Sequence, residues 1–179
     1  MSRPGLFLVL GLFALTGAGE LAAEQPNPIN NFFRAKAELL VPTSTHEMVL
    51  FAQIAAGAWL AEMENSFALL KSNTEIEAAR SMLDLEKQAF IEYNHRRAEI
   101  QLLLGFSNAF SGDAFSGDGS LATGSLGLVM RHGYREAGWQ EKTMELFDRL
   151  RSIGITPQFI FDEARYAQEL QAALPHLWP

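Results

Sequence analysis

Glu92-Tyr93-Asn94-His95 has the spacing of a helical metal-ligand pair. Residues three apart share a helix face, so this carboxylate and imidazole could reach one ion. Dinuclear iron sites in helical bundles use two such motifs and a Glu from each of two further helices. Only one motif occurs here, and His46, His132 and His176 complete no second. A solvated His beside a Glu is the expectation, with no metal and no cofactor. Asp113 and Asp118 stand in a Gly-rich stretch whose spacing fits neither an EF-hand nor a nonapeptide calcium repeat. There is no phosphate-binding loop, dinucleotide fingerprint or nucleophile elbow. The chain has no cysteine, which removes thiolate ligands, a cysteine nucleophile and disulfides. It is not expected to be an enzyme, and an exported metal-binding enzyme ranks last of three functional readings.

Nucleic acid is also excluded as a partner. The formal net charge is −7, and the only adjacent basic pair, Arg96-Arg97, is flanked by Glu92 and Glu99. Apolar residues make up 48% of the 179, enough for a core and too many for general disorder.

The elements that would position these groups are helices. Ser44-Thr45-His46-Glu47 is a capping box, so a helix should start there and run to about Lys71. Thr74-Glu75-Ile76-Glu77 is a second box. It predicts a helix from Glu75 to Leu104, ~45 Å long, that stops at Gly105. So short a turn makes the two antiparallel. The second helix carries two adjacent apolar stripes, one through Ile76, Ala79, Leu83, Phe90 and Tyr93 and one through Ala78, Met82, Leu85 and Ala89. Two stripes predict more than one neighbouring helix. Phe110-Ser111-Gly112-Asp113 and Phe115-Ser116-Gly117-Asp118 form a tandem repeat that reads as loop. Leu126 to Met130 reads as a short strand or the beginning of a helix. A third helix is expected from Tyr134 or Arg135 to Ser152, and a fourth capped by Thr156, with Pro157 at its first position, ending near Pro175.

The fold class is therefore all-α: two antiparallel helical hairpins joined by a Gly/Ser-rich loop. Residues 44–105 form the first hairpin, 106–133 the loop and 134–179 the second. Residues 24–43 read as a Pro/Asn-rich leader, with a short helix around Phe32 to Leu40. Residues 1–23 read as a secretory signal, with Arg3, an apolar run from Leu6 to Ala18 and a small-residue cut after Ala23. An uncleaved anchor is the alternative. Both place the rest of the chain outside the cytoplasm, in a periplasm or outer membrane.

The hairpins repeat each other. Phe67, Leu70, Lys71 and Ser72 are echoed by Phe147, Leu150, Arg151 and Ser152, each followed by a Thr and an Ala-Arg pair. Thr74, Glu75, Ile76, Ala79 and Arg80, with Leu102-Leu103-Leu104-Gly105, resemble the outer-membrane efflux protein family, the TolC-like trimeric channels. Gly154, Ile160, Ala164 and Arg165 fall at the matching offsets of the second hairpin. Leu69 stands where the family usually has Gly, Phe159 where an acidic residue is usual, and no barrel-length strands occur. The resemblance implies a transport or efflux component, a homo-oligomer (trimer) whose hairpins line a tunnel or dock on a periplasmic adaptor. The implied partner-binding residues are Leu70, Ser72 and Thr74 in the first turn and Ser152, Gly154 and Thr156 in the second. The alternative is a periplasmic helical scaffold with no transport activity.

Overall fold

In the computed structural model, residues 27–109 and 124–178 are described. They are helical and contain no strand. In chain order the helices are α1 (Pro28–Leu40), α2 (Thr45–Ser72), α3 (Glu77–Ala109), α4 (Ser125–Ser152) and α5 (Glu163–Ala173), and a single 3-10 turn follows at Pro175–Leu177.

α2 starts at the expected capping box. The Ser44 hydroxyl accepts from the Glu47 N–H at 3.2 Å, and Glu47 Oε2 accepts from the Ser44 and Thr43 N–H groups at 2.8 and 2.7 Å. His176 also contacts Glu47 Oε1 at 2.7 Å, tying the C-terminal turn to the start of α2. These bonds, that from His176 foremost, hold the Glu47 carboxyl at a pKa of about 2. Ser44→Ala removes one arm of the box. It should cost about 1 kcal/mol in urea denaturation, the usual worth of such a cap.

The direction of each helix follows from its cross-contacts. α2 and α3 are antiparallel, joined by four residues and bridged across the turn by Lys71 and Asp84 at 2.6 Å. α3 and α4 are antiparallel as well. Glu86 pairs with Lys142 and Arg149, Arg97 with Glu141, and Glu99 with Arg131. Hence α2 and α4 run parallel, and the Lys142 ammonium stands over the rings of both Phe67 and Phe90. Beyond Gly154 the chain returns antiparallel to α2: Phe159 meets Trp59, the Ile160 N–H meets Glu62, and His176 reaches Glu47.

The two hairpins exchange partners. The closest and longest packing is between α2 and α4. α3 follows α2 but lies mainly on α4, while α5 follows α4 and lies on α2. The sequence repeat marks matching places in this parallel pair. Phe67 and Leu70 are buried near the end of α2, and Phe147 and Leu150 near the end of α4. The Ser72 hydroxyl donates to Leu69 O at 2.9 Å, and the Ser152 hydroxyl to Arg149 O at 2.7 Å. The next residues, Asn73 and Ile153, have nearly the same backbone angles (φ −98°, ψ 10° and φ −102°, ψ 16°).

Four sequence expectations are corrected. Residues 28–40 are a core helix rather than part of a leader. Asn27 caps α1, Ile29 and Phe33 are fully buried, and Asn30 accepts from the Trp59 indole at 3.1 Å. The expected loop 106–133 is helical at both described ends: α3 runs through Gly105 to Ala109, and α4 begins at Ser125. A helix tolerates an interior Gly at about 1 kcal/mol, and Val129 anchors the first turns of α4 in the core. Thr74 does not cap α3. Its hydroxyl donates back to Leu70 O at 2.8 Å, and its carbonyl accepts from Arg80 Nε. Thr156 and Pro157 open no helix, since residues 155–162 stay outside helical structure until Asp162 caps α5. Tertiary contacts hold that segment: Pro157 is buried, and Phe159 wedges between Trp59 and Phe147.

Candidate partner-binding surface

Both turns lie at one end of the bundle, because α2 and α4 run parallel. The second is a Schellman motif. The Ile155 N–H bonds Leu150 O and the Gly154 N–H bonds Arg151 O, each at 3.0 Å, with Gly154 at φ 82°. That left-handed angle is what the glycine supplies. Ser72, Ser152, Gly154 and Thr156 are exposed, and Thr74 is partly covered. Leu70 is 6% exposed and belongs to the core, which corrects its assignment to a contact surface. The Ser72, Thr74 and Ser152 hydroxyls all cap carbonyls of their own helices.

The Glu92–His95 pair brings no metal-binding geometry. Glu92 pairs with Arg96 one turn on, and the His95 ring stands edge-on to Trp139 at 5.8 Å. Burial, with the nearby Arg135 guanidinium, holds the His95 pKa below its ordinary value. Among the described residues, no three His, Asp or Glu side chains are placed to share an ion.

The exposed feature of note is on α3. Its inner face carries Leu83, Asn94, Ala98 and Leu102, all buried. Its outer face carries Ala78, Met82, Leu85, Ala89, Tyr93, Ile100 and Leu103, all exposed to solvent. Met82 is 69% exposed, Leu85 66% and Leu103 62%. Steps of three and four residues from Ala78 to Tyr93, and again from Ile100 to Leu103 beyond Arg96, keep them on one side, ~40 Å end to end at 1.5 Å per residue. The second apolar stripe read in the sequence, Ala78, Met82, Leu85 and Ala89, is thus exposed, and Tyr93, read there as part of the first stripe, is exposed beside it; no described element covers them. Isolated exposed apolar residues need no explanation, whereas a line of them along one side of a helix marks a candidate contact surface.

Electrostatics fix the other face of α3 on α4. Glu86 receives Lys142 Nζ at 2.7 Å and an Arg149 guanidinium N–H at 2.6 Å. Burial would raise its pKa, but these two hydrogen bonds prevail and hold it below the usual carboxylate range. Lys142 is nearly buried and is also bonded by Glu145 at 2.8 Å, so its charge is compensated from both helices. Breaking such a pair from one side leaves an uncompensated charge. This anchoring determines which face of α3 turns away from α4.

Fold and surface together define a class: an all-helical bundle with a parallel central pair and one long helix whose outer side no described element covers. Comparison with known protein families, curated proteins and solved structures returns no match for this chain. None of its described helices is long and apolar enough to cross a membrane.

Proposed function

We propose that this protein is an exported helical scaffold that recognises a protein partner through the outer face of α3 and does no chemistry of its own. The observation that carries this reading is the line of exposed apolar residues from Ala78 to Leu103, which no described element covers. The placement outside the cytoplasm rests on the charge and apolar pattern of residues 1–23. The scaffold is favoured over a tunnel wall by the packing. α2 packs against α1, α3, α4 and α5, and the face it leaves exposed, with Gln53, Gly57, Glu64 and Ala68, carries no large apolar side chain, so the first hairpin offers an apolar line on one rod rather than two.

A photo-reactive residue at Leu85 or Leu103, introduced in the producing cell, should give cross-linked species larger than the chain. The same group at Ser81, exposed on the same helix beside the stripe, should give several-fold fewer. Equal yields at both kinds of position, or no species above the monomer, would overturn the reading.

A further inference from the structure

We infer that residues 155–162 form a pH-sensitive strap across α2, closed while the Glu62 carboxyl is protonated and released as it ionises. The inference is independent of the partner-binding reading.

The geometry of the segment carries it. Residues 155–162 join α4 to α5 without helical structure. Among the described residues, the bond from the Ile160 N–H to Glu62 Oε2 at 3.0 Å is the one hydrogen bond that ties residues 156–161 to another element. Ring contacts hold the rest. Phe159 lies 6.0 Å from Trp59 and 5.1 Å from Phe147, and Phe161 stacks on Tyr166 at 5.0 Å. The Ile160 side chain is exposed, whereas Glu62 is fully covered and its Oε1 has no partner. A neutral carboxyl tolerates that place, since one oxygen accepts from Ile160 and the other keeps the proton. A carboxylate does not, because a single neutral donor cannot replace the water it loses.

No neighbouring charge compensates. On the α5 side stand Asp162 and the Tyr166 phenol, both acids. Burial is the main cause of the raised Tyr166 pKa, and the Glu62 and Asp162 charges add to it. The cations of the packed helices are engaged elsewhere: Lys142 and Arg149 of α4 with Glu86, Arg80 of α3 with the Thr74 carbonyl, Arg165 of α5 with Glu169, and Lys36 of α1 over the Phe32 and Trp178 rings. Burial therefore raises the Glu62 pKa from 4.5 to about 7 against the Ile160 bond. α2 is fixed by four helices. The strap is the part that can move, bounded by Gly154 at φ 82° and by the Asp162 cap. Lifting it gives the carboxylate water and parts Phe159 from Trp59. The raised value belongs to the closed form, so opening is favoured as pH rises. The two pKa values imply a rise in the opening equilibrium of roughly thirtyfold between pH 5.5 and 8.5.

Hydrogen exchange of the Gln158, Phe159, Ile160 and Phe161 amides, corrected for the intrinsic rate at each pH, measures the opening. These amides should exchange at least about tenfold faster than those of Leu146 and Leu150 at every pH, as a local opening does. Their opening should rise by the factor above, and Glu62→Gln should hold the rise below about threefold with unchanged circular dichroism. On the native chain, a carbon-13 titration of the Glu62 carboxyl should have its midpoint well above the ordinary 4.5. Strap amides that exchange in step with Leu146 and Leu150, an opening that is flat with pH or rises equally in Glu62→Gln, or a Glu62 midpoint near the ordinary value would each overturn the strap.

Discussion

Replacing Glu62 and Glu136 together with glutamine should abolish most of the stability that the bundle loses between pH 4 and pH 8.5. Both carboxyls are covered, at 1% and 9% exposure. Glu62 lies on α2. Its Oε2 accepts from the Ile160 N–H at 3.0 Å, and its Oε1 has no partner. Burial raises its pKa to about 7 against the hydrogen bond that lowers it, and burial alone pushes Glu136 to about 8. The ordinary value in both cases is 4.5. From pH 4.5 to 7 or 8 the folded chain therefore holds protons that the unfolded chain releases. Stability is full below pH 4.5 and falls as pH rises through that window. Each pKa unit corresponds to 1.36 kcal/mol, so the loss is about 3 kcal/mol at Glu62 and at least as much at Glu136. Glutamine cannot ionise, and it keeps an oxygen for Ile160. Its unpaired amide carries a burial cost of roughly 1–3 kcal/mol, nearly the same at every pH, so the difference between pH values isolates the carboxylate. Glu47 works in the opposite sense. Its pKa of about 2 means that its contribution disappears as pH falls below 4.5. His95 and His132, held below the ordinary imidazole value mainly by burial, act in the same sense as Glu47, so the glutamine pair is compared with the native chain at each pH to isolate the two buried carboxyls. Denaturant titrations at half-unit steps from pH 4 to 8.5 measure this directly. A native chain as stable at pH 8.5 as at pH 4.5 would contradict the burial of both groups.

Local chemistry was legible in the sequence, and the choice of neighbours was not. The box at Ser44 and Glu47 formed as read, because both partners lie within one turn and need nothing else. Gly154 turned the chain as read, because φ 82° is set by residue type. The Phe-x-x-Leu-basic-Ser repeat marked two equivalent helix ends. What it could not reveal is that those helices run side by side and exchange their followers, since an apolar stripe specifies a buried face without naming the element that buries it. The same limit explains Thr156 and Pro157, whose good helix-start chemistry was overridden by Phe159 between Trp59 and Phe147. It also explains α1, where Pro26, Pro28 and Asn30 suggested a leader while Ile29, Phe32 and Phe33 spelled a core face. The binding surface was half visible. The line through Ala78, Met82, Leu85 and Ala89 was evident as a second stripe, and only the packing of the other face on α4 shows that no described element covers it. Of the turn residues chosen by resemblance, Ser72, Thr74 and Ser152 cap carbonyls of their own helices.

Gly138→Ala should destabilise the protein by about 2–4 kcal/mol, although alanine is the better helix former. The gain from propensity is about 1 kcal/mol. Against it stands Asn94 on α3, whose Oδ1 would lie 1.8 Å and Cγ 2.5 Å from the new Cβ. No rotation of an exposed side chain relieves this, because Asn94 is fully buried and its Nδ2 donates to Arg135 O at 2.9 Å. Either α3 lifts off α4, or the amide turns and loses its bond. Overpacking costs about 1–3 kcal/mol, and a buried amide stripped of its partner about 1–3 kcal/mol more. Gly57 is the control. A Cβ there meets nothing within 4 Å, so Gly57→Ala on α2 should stabilise by about 0.5–1 kcal/mol. Asn94→Ala frees the space, so the Asn94→Ala/Gly138→Ala pair should recover at least half of the loss, a coupling that a double-mutant cycle in denaturant reads directly. Equal effects of alanine at positions 57 and 138, or additive effects of 94 and 138, would mean that α3 does not seat on α4 at this glycine. The outward aim of Met82, Leu85 and Leu103 depends on that seating, so the same cycle tests the orientation on which the proposed surface relies.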